Sequence, residues 1–327
     1  MMVKLVSSVV LGILLTVNSS ITDAANISFQ IDQFSAVISI DGEIQAGDYL
    51  KFRSTVTNAF VESTVNYEWF IKNLKENNPK RYNELHEKTG DIGGVISLTV
   101  SLNSGGGSLE EAIKIGQSTR KMALKTSVAD TDGAVCSSAC FFVWVAGIKR
   151  SVPARDDPKC LGIHRVYFKP DHYKGLSSRR AEQVYSEAQN TAVAYLLEMG
   201  VPIDIANKSF RIPSNEVYFL NQNEVSDLEG IVPYFEELLI ARCGSYSKQE
   251  EKDYLDCQII YPQLSQERYA QFGLQFKKSI SSKCNALSSG YRSYLENTYM
   301  ENRRCRNLNS DIESWKRIAT YLGFSQP

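Results

Sequence analysis

Ser138 stands where a polar turn, Gly133 to Ser138, meets the almost wholly apolar run 139–146. A helix that is apolar on every side must be buried. A serine in its first turn is then held at the edge of a core, beside backbone N–H groups that no helical carbonyl can reach. That position suits a nucleophile. It equally suits an ordinary N-cap, because Ser137 or Ser138 could satisfy those same N–H groups. A second feature bears on the choice. Asn103-Ser104-Gly105-Gly106-Gly107-Ser108 directly follows the apolar stretch 95–102 and sets bare backbone at a strand end. Ser108-Leu109-Glu110-Glu111 then fits a capping box, with Ser108 as N-cap and Glu111 reaching back to it. Strand end, glycine turn and helix start form a corner that stabilises an anion. No Gly-Lys-Ser/Thr follows, so the corner is not a phosphate loop, and taken alone three glycines could equally be a flexible turn.

The elements that must position these residues read as strand, turn, helix, strand. Residues 36–40, AVISI, form a strand that ends in a turn at Asp41-Gly42, and 44–52 carry the chain into a helix or a second crossing. Residues 62–91 are polar, with Trp69, Phe70, Ile71 and Leu74 at roughly helical spacing, and read as a helical surface insertion. His86 lies inside it as a solvated side chain. The clearest buried strand is 95–102, followed by an amphipathic helix to about 124, a short strand at 126–129, and strands at 149–152 and 161–163. His164 ends the last of these. A long helix over 177–199 carries Ala181, Val184, Tyr185, Ala188, Ala192, Tyr195 and Leu196 on one stripe, and Gly200-Val201-Pro202 stops it. A strand at 217–220 completes an α/β pattern with parallel neighbours.

The chain has 327 residues and a formal net charge of −1, which leaves no electrostatic footprint for nucleic acid. Residues 1–24 read as a secretory signal: Lys4, an apolar stretch, then Thr22-Asp23-Ala24. That predicts a periplasmic or secreted protein with no stable membrane span after signal cleavage. All seven cysteines lie after residue 135, which in an exported chain points to disulfides rather than metal. Cys136-x-x-x-Cys140 lacks zinc-knuckle spacing and no histidine falls beside it at ligand spacing, so no metal site is predicted. Beyond about residue 240 the composition changes, and 240–327 read as a cysteine-containing, disulfide-stapled helical module following a main domain at 25–239. Within that module Cys243, Cys257, Cys284 and Cys305 are expected to pair among themselves. Cys136 and Cys140, one helical turn apart, are poor partners if their segment is helical, which makes Cys160 the better mate for one of them.

Three segments in order carry a resemblance: Asn103 to Gly107, then Ser138-Ala139 ahead of a buried helix ending Val145-Ala146-Gly147, then Leu161-Gly162-Ile163-His164. The series resembles the Clp-type serine peptidases, and more closely their exported relatives, whose Cys-x-Ser-Ala-Cys segment matches Cys136 to Cys140. It spans about 35–235, outside the 62–91 insertion and the tail. The resemblance implies a Clp-peptidase/crotonase-like spiral of β-β-α units and a triad in the order serine, histidine, acid. Ser138 would attack, His164 would act as base, and the N–H groups of Gly107 (or Gly106) and Ala139 would form the oxyanion hole. The acid's place, ahead of the 217–220 strand, holds Glu216 instead of aspartate, with Asn215 as the fallback. Gly105 stands where the family usually has proline, which loosens the corner. The implied function is an exported serine endopeptidase acting on peptide or unfolded protein, without ATP, metal or other cofactor. The 177–199 helix lies where such peptidases join into homo-oligomers, although core packing explains its stripe equally well. The alternative is a catalytically silent binding or assembly protein that keeps the core and uses the insertion and tail as partner surfaces. An acyl-CoA enzyme on the same fold would leave Ser138 without a purpose, and a Ser-Lys enzyme would have no need of His164.

Overall fold

Alternation of Leu98, Val100 and Leu102 with serine and threonine puts one face of the strand Ser97–Asn103 into the core, and that strand organises the sheet. The structure is a computed structural model that describes residues 24–32, 35–83, 97–153, 159–168, 170–235, 237 and 316–324. Residues 1–23 of the signal segment, residues 84–91 of the 62–91 insertion with His86 among them, and Cys243, Cys257, Cys284 and Cys305 lie outside the described residues.

Strand β1 (Asn26–Asp32) pairs antiparallel with β2 (Ser35–Asp41), in register from Asn26↔Asp41 to Asp32↔Ser35. β2 pairs in parallel with β3 (Ser97–Asn103), β3 with β4 (Lys125–Val128), and β4 with β6 (Lys149–Ser151). β9 (Gly230–Ile231) closes the far edge antiparallel to β6, giving one mixed sheet in the order β1-β2-β3-β4-β6-β9. A second sheet holds β5 (Cys136–Ser137), β7 (Leu161–Ile163) and β8 (Tyr218–Phe219) in the order β5-β7-β8. The fold is mixed α/β, with the parallel neighbours that the strand-turn-helix pattern predicts.

Helix α1 (Asp48–Asn77) buries Phe52, Val56, Ala59, Phe60 and Ser63 at spacings of three and four. No residue of α1 beyond Ser63 is buried, and Val65 and Trp69 are exposed. The apolar group around Trp69 is thus the outer end of one 30-residue helix that starts well before residue 62. Helix α2 (Leu109–Lys121) turns Ala112, Ile115 and Gly116 inward, and all six residues of α3 (Ala139–Trp144) are buried. Helices α4 (Ser178–Glu198), α5 (Ile203–Arg211) and α6 (Gln222–Leu228) complete the layer. Tyr195 fastens α4 to α3 by donating its hydroxyl to Phe142 O at 2.8 Å. Nearby, buried Arg150 donates to the carbonyls of Gly147, Leu228 and Met199, and its burial and the charge of Arg120 pull its pKa down to about 9. It is still charged at neutral pH and ties the end of α4 to the sheet.

The end of the tail belongs to the same core. Residues 316–322 are helical, with Ile318 and Ala319 fully buried among the strands' neighbours. The Tyr321 hydroxyl is bonded to Tyr49 Oη at 3.0 Å and Ser118 Oγ at 2.7 Å, and the Phe324 ring lies 5.5 Å from that of Phe60.

Candidate active site

β5 ends at Ser137 and α3 begins at Ala139, so Ser138 alone turns the chain, at φ 56° and ψ −124°. A non-glycine residue held there costs on the order of 1–3 kcal/mol, which the surroundings must offset. They do so from two sides. The Ser138 N–H donates to Gly162 O at 2.9 Å, and the Ser137 N–H to Ser104 O at 3.0 Å. The Ser137 hydroxyl donates to Gly105 O at 3.1 Å. The glycine turn is pressed so closely on the serine turn that a Cβ at Gly106 would lie 2.6 Å from Ser138 Cβ. The Ser138 side chain makes no capping bond to α3, so its hydroxyl is not used as an N-cap. The capping reading of this residue is therefore not met.

Cys136 and Cys140 form a disulfide across the turn, with Cα atoms 5.2 Å apart. This corrects the expectation that they are poor partners and that Cys160 is the mate of one of them. That expectation took the whole segment as helical, whereas Cys136 is a strand residue and the left-handed turn at Ser138 folds it back over the first turn of α3. Cys160 is buried opposite, its carbonyl accepting from the Cys136 N–H at 2.7 Å.

The glycine turn offers fewer donors than its composition implies. The Gly106 N–H donates to Ser104 Oγ at 3.1 Å and is spent. Gly106 O accepts from the Ile44 N–H at 2.8 Å, and the Ser108 N–H donates to Ile44 O at 2.7 Å. Among the described residues the N–H groups of Gly107 and Ala139 meet no acceptor. Glu111 also departs from expectation. Ser108 Oγ accepts from the Glu111 N–H at 3.4 Å, but the Glu111 carboxylate does not return to Ser108. It accepts instead from the N–H groups of Gly47 and Tyr49, at 3.1 and 2.9 Å. The reason is local: the Ser108 N–H is already bonded to Ile44, whereas α1 begins at a glycine with no side chain to cap it. Burial pushes the Glu111 carboxyl up, but the Tyr49 N–H, Lys114 and the Gly47 N–H together hold it below its ordinary value.

His164 follows β7. The pairing Ser137↔Gly162 and the bond from the Ser138 N–H to Gly162 O bring Ser138 and His164 to the same end of the small sheet. Its Nδ1 lies 2.8 Å from Arg165 O. A carbonyl can only accept, so in the neutral ring this contact selects the tautomer with the proton on Nδ1 and the lone pair on Nε2. Ser138, Ala139, Gly106, Gly107 and His164 line one open cleft of about 1460 Å³, whose apolar wall includes Ile113, Phe142 and Phe168. Glu216 and Asn215 are not on it. The Glu216 N–H closes a turn on Pro213 O at 3.0 Å, and both side chains are exposed. Ser214 and His172 do line the cleft. The residues that set the turns, Ser104, Ser137 and Ile44, carry no local signal, because their partners lie on other elements. Among the described residues no group of three or more His, Cys, Asp or Glu side chains is placed to hold a metal ion, and no helix is long and apolar enough to cross a membrane.

No protein-family model matches the chain, and no curated protein matches it. Among solved structures, a mutant of the 1510-N membrane-bound stomatin-specific protease is similar at 16% identity, over 64% of this chain and 84% of that chain, with a TM-score of 0.33. A likeness of that size assigns neither fold family nor activity to this chain.

Proposed function

We propose that the chain is a serine hydrolase of the Clp-peptidase/crotonase architecture, an exported endopeptidase for peptides or unfolded protein segments. The observation that carries this reading is Ser138: a half-buried serine at positive φ between a strand and a buried helix, its hydroxyl free of capping duty, on the cleft it shares with His164. Backbone outliers of this kind cluster at active sites. A strand-to-helix turn with a serine at its apex is also how other hydrolases present a nucleophile.

In this mechanism Nε2 of His164 takes the proton from Ser138 Oγ as the oxygen attacks the peptide carbonyl. The oxyanion accepts hydrogen bonds from the Gly107 and Ala139 N–H groups, which have no other acceptor among the described residues. His164 then gives its proton to the departing amine, and water repeats the cycle on the acyl-enzyme. The Arg165 carbonyl fixes the histidine tautomer, the task expected of Glu216. A carbonyl orients the ring but stabilises imidazolium less than a carboxylate does, so the turnover is modest.

Labelling by a fluorophosphonate probe tests the proposal. Ser138→Ala abolishes labelling and leaves the thermal melt unchanged, whereas Ser137→Ala still labels. His164→Ala lowers the labelling rate by about 10³-fold or more, as expected for residues that act as one unit. Glu216→Gln keeps the wild-type rate. A folded wild-type protein that does not label, or a Ser138→Ala protein that does, would refute the hydrolase reading, and the former would leave a binding or assembly role.

A further inference from the structure

We propose that the Cys136–Cys140 disulfide is a positioning device for Ser138, and that the chain becomes a competent hydrolase only once this bridge has formed. The inference rests on Ser138 being the nucleophile. The bridge joins the residue two before Ser138 to the residue two after it, so the residue at φ 56° is the centre of the closed loop. The hydrogen bonds that hold the turn act mostly on its strand side, through Ser137 to Ser104 and Gly105 and through Ser138 to Gly162. On its helix side the Ala139 N–H meets no acceptor among the described residues, and Phe141 N–H to Ser138 O at 3.1 Å spans only the first turn of α3. The disulfide carries restraint across the apex.

The chemistry depends on that restraint because Ser138 and Ala139 are consecutive. One supplies the attacking oxygen and the other an oxyanion donor, so the dihedrals of Ser138 set their mutual geometry. A Ser138 that relaxes to ordinary negative φ must also leave ψ −124°, and it is that rotation of ψ that turns the Ala139 N–H away from the carbonyl that Oγ attacks. The fold can survive this relaxation, since α3 and β5 remain buried on their own account. Catalysis cannot.

Bridge formation is a two-electron oxidation by a low-molecular-weight disulfide. One cysteine thiolate attacks the reagent, forming a mixed disulfide and releasing a thiol, and the second cysteine thiolate then displaces the second thiol from that mixed disulfide. The protons lost by the two cysteines are taken up by the two released thiolates. Both cysteines are fully buried, at 0% exposure, so this exchange takes place while the chain is folding and not afterwards. The bridge is therefore a licence granted at folding: a chain folded under reducing conditions lacks the aligned nucleophile, and a finished molecule keeps it in mild reductant.

The test uses the full chain and a fluorophosphonate at increasing concentration, which separates the binding constant KI from the chemical rate kinact. In labelling, the Ser138 Oγ–P bond forms, the P–F bond breaks, fluoride leaves and His164 takes the proton. Cys136→Ala/Cys140→Ala is expected to fold, bind the probe with KI unchanged, and lose about ten- to a hundred-fold in kinact, the rate equivalent of the strain the turn must hold. Wild type refolded in excess dithiol shows the same loss, and recovers only when it is unfolded and refolded again in oxidised glutathione. The double variant does not recover, which separates this bridge from the tail cysteines. Undiminished kinact in the folded double variant overturns the proposal. Cys136→Ser/Cys140→Ser is the second variant, closer in volume to the two thiols, and if neither variant folds the bridge is a staple of the fold and the proposal is also overturned. Wild-type protein that never labels sinks the hydrolase reading and this inference with it, whereas normal wild-type labelling with an equally fast double variant sinks this inference alone.

Discussion

Replacing Gly106 with alanine tests whether the glycine turn and the serine turn act as one unit. A Cβ there would lie 2.6 Å from Ser138 Cβ, 2.9 Å from Ser137 O and 3.0 Å from Ala139 N, with the backbone at φ 115°. Two of those three neighbours are backbone atoms and cannot swing aside. Left unrelaxed, the left-handed φ costs about 1–3 kcal/mol and the overlap about as much again. The structure escapes part of this by moving the 138–139 turn outward by about 0.8 Å, enough to bring 2.6 Å to an ordinary 3.4 Å contact. A misplacement near 1 Å at a reacting group costs about 10²-fold in rate. Gly106→Ala should therefore lower kinact for the fluorophosphonate by about a hundredfold, and a residual destabilisation of about 2–3 kcal/mol should lower Tm by roughly 4–12 °C. Gly105→Ala is the control. Its added Cβ meets nothing within 4 Å and its φ is not in the left-handed range, so rate and melt should stay at wild-type values. Equal damage from the two substitutions, or none from Gly106→Ala, would refute the packing of one turn on the other.

The same structure makes two predictions about stability. Glu111 is a carboxyl whose folded pKa is depressed, so its contribution is present above its ordinary value of 4.5 and is lost as pH falls through the folded value. Glu111→Gln should cost about 1–2 kcal/mol at pH 7, and the gap to wild type in urea melts should narrow below about pH 4; a gap constant with pH would refute the role given to the charge. Ile318→Ala should lower stability by about 2–4 kcal/mol, and Tyr321→Phe by about 1–2 kcal/mol through its bonds to Tyr49 and Ser118. An unmoved urea midpoint in both would mean that residues 316–324 do not share the core.

Patterns confined to one element were legible in the amino-acid order. Leu98, Val100 and Leu102 announce β3, the apolar run 139–146 announces a buried α3, and strand-turn-helix repetition announces parallel neighbours. What escaped depends on which elements meet. The reach of Glu111 to Gly47 and Tyr49 is decided by a helix start 62 to 64 residues away. The docking of 316–324 is decided by side chains on α1 and α2. The helical reading of Cys136 to Cys140 assumed helix geometry on the near side of residue 138, where the chain is a strand hydrogen-bonded to Ser104 and Cys160, and the capping reading of Ser138 assumed the extended backbone of an N-cap where φ is 56°.

Glu216 shows the same limit from the other direction. Motif order puts an acid just ahead of the 217–220 strand, and order alone is silent about which way that acid faces. In the structure β8 begins only at Tyr218, paired with Ile163, and the chain ahead of it is a turn closed by the Glu216 N–H on Pro213 O. The Arg165 N–H bonds Ile212 O at 3.1 Å, so the segment after His164 runs beside the start of that turn and not beside residue 216. A carboxylate on the outside of the turn is left in solvent, and the proton on Nδ1 goes to the nearest fixed acceptor, the carbonyl of the next residue. Order along the chain can therefore single out two residues that meet at one small sheet, as Ser138 and His164 do through β5 and β7. It cannot single out a third residue carried by a turn, because there a shift of one residue changes the face and with it the partner.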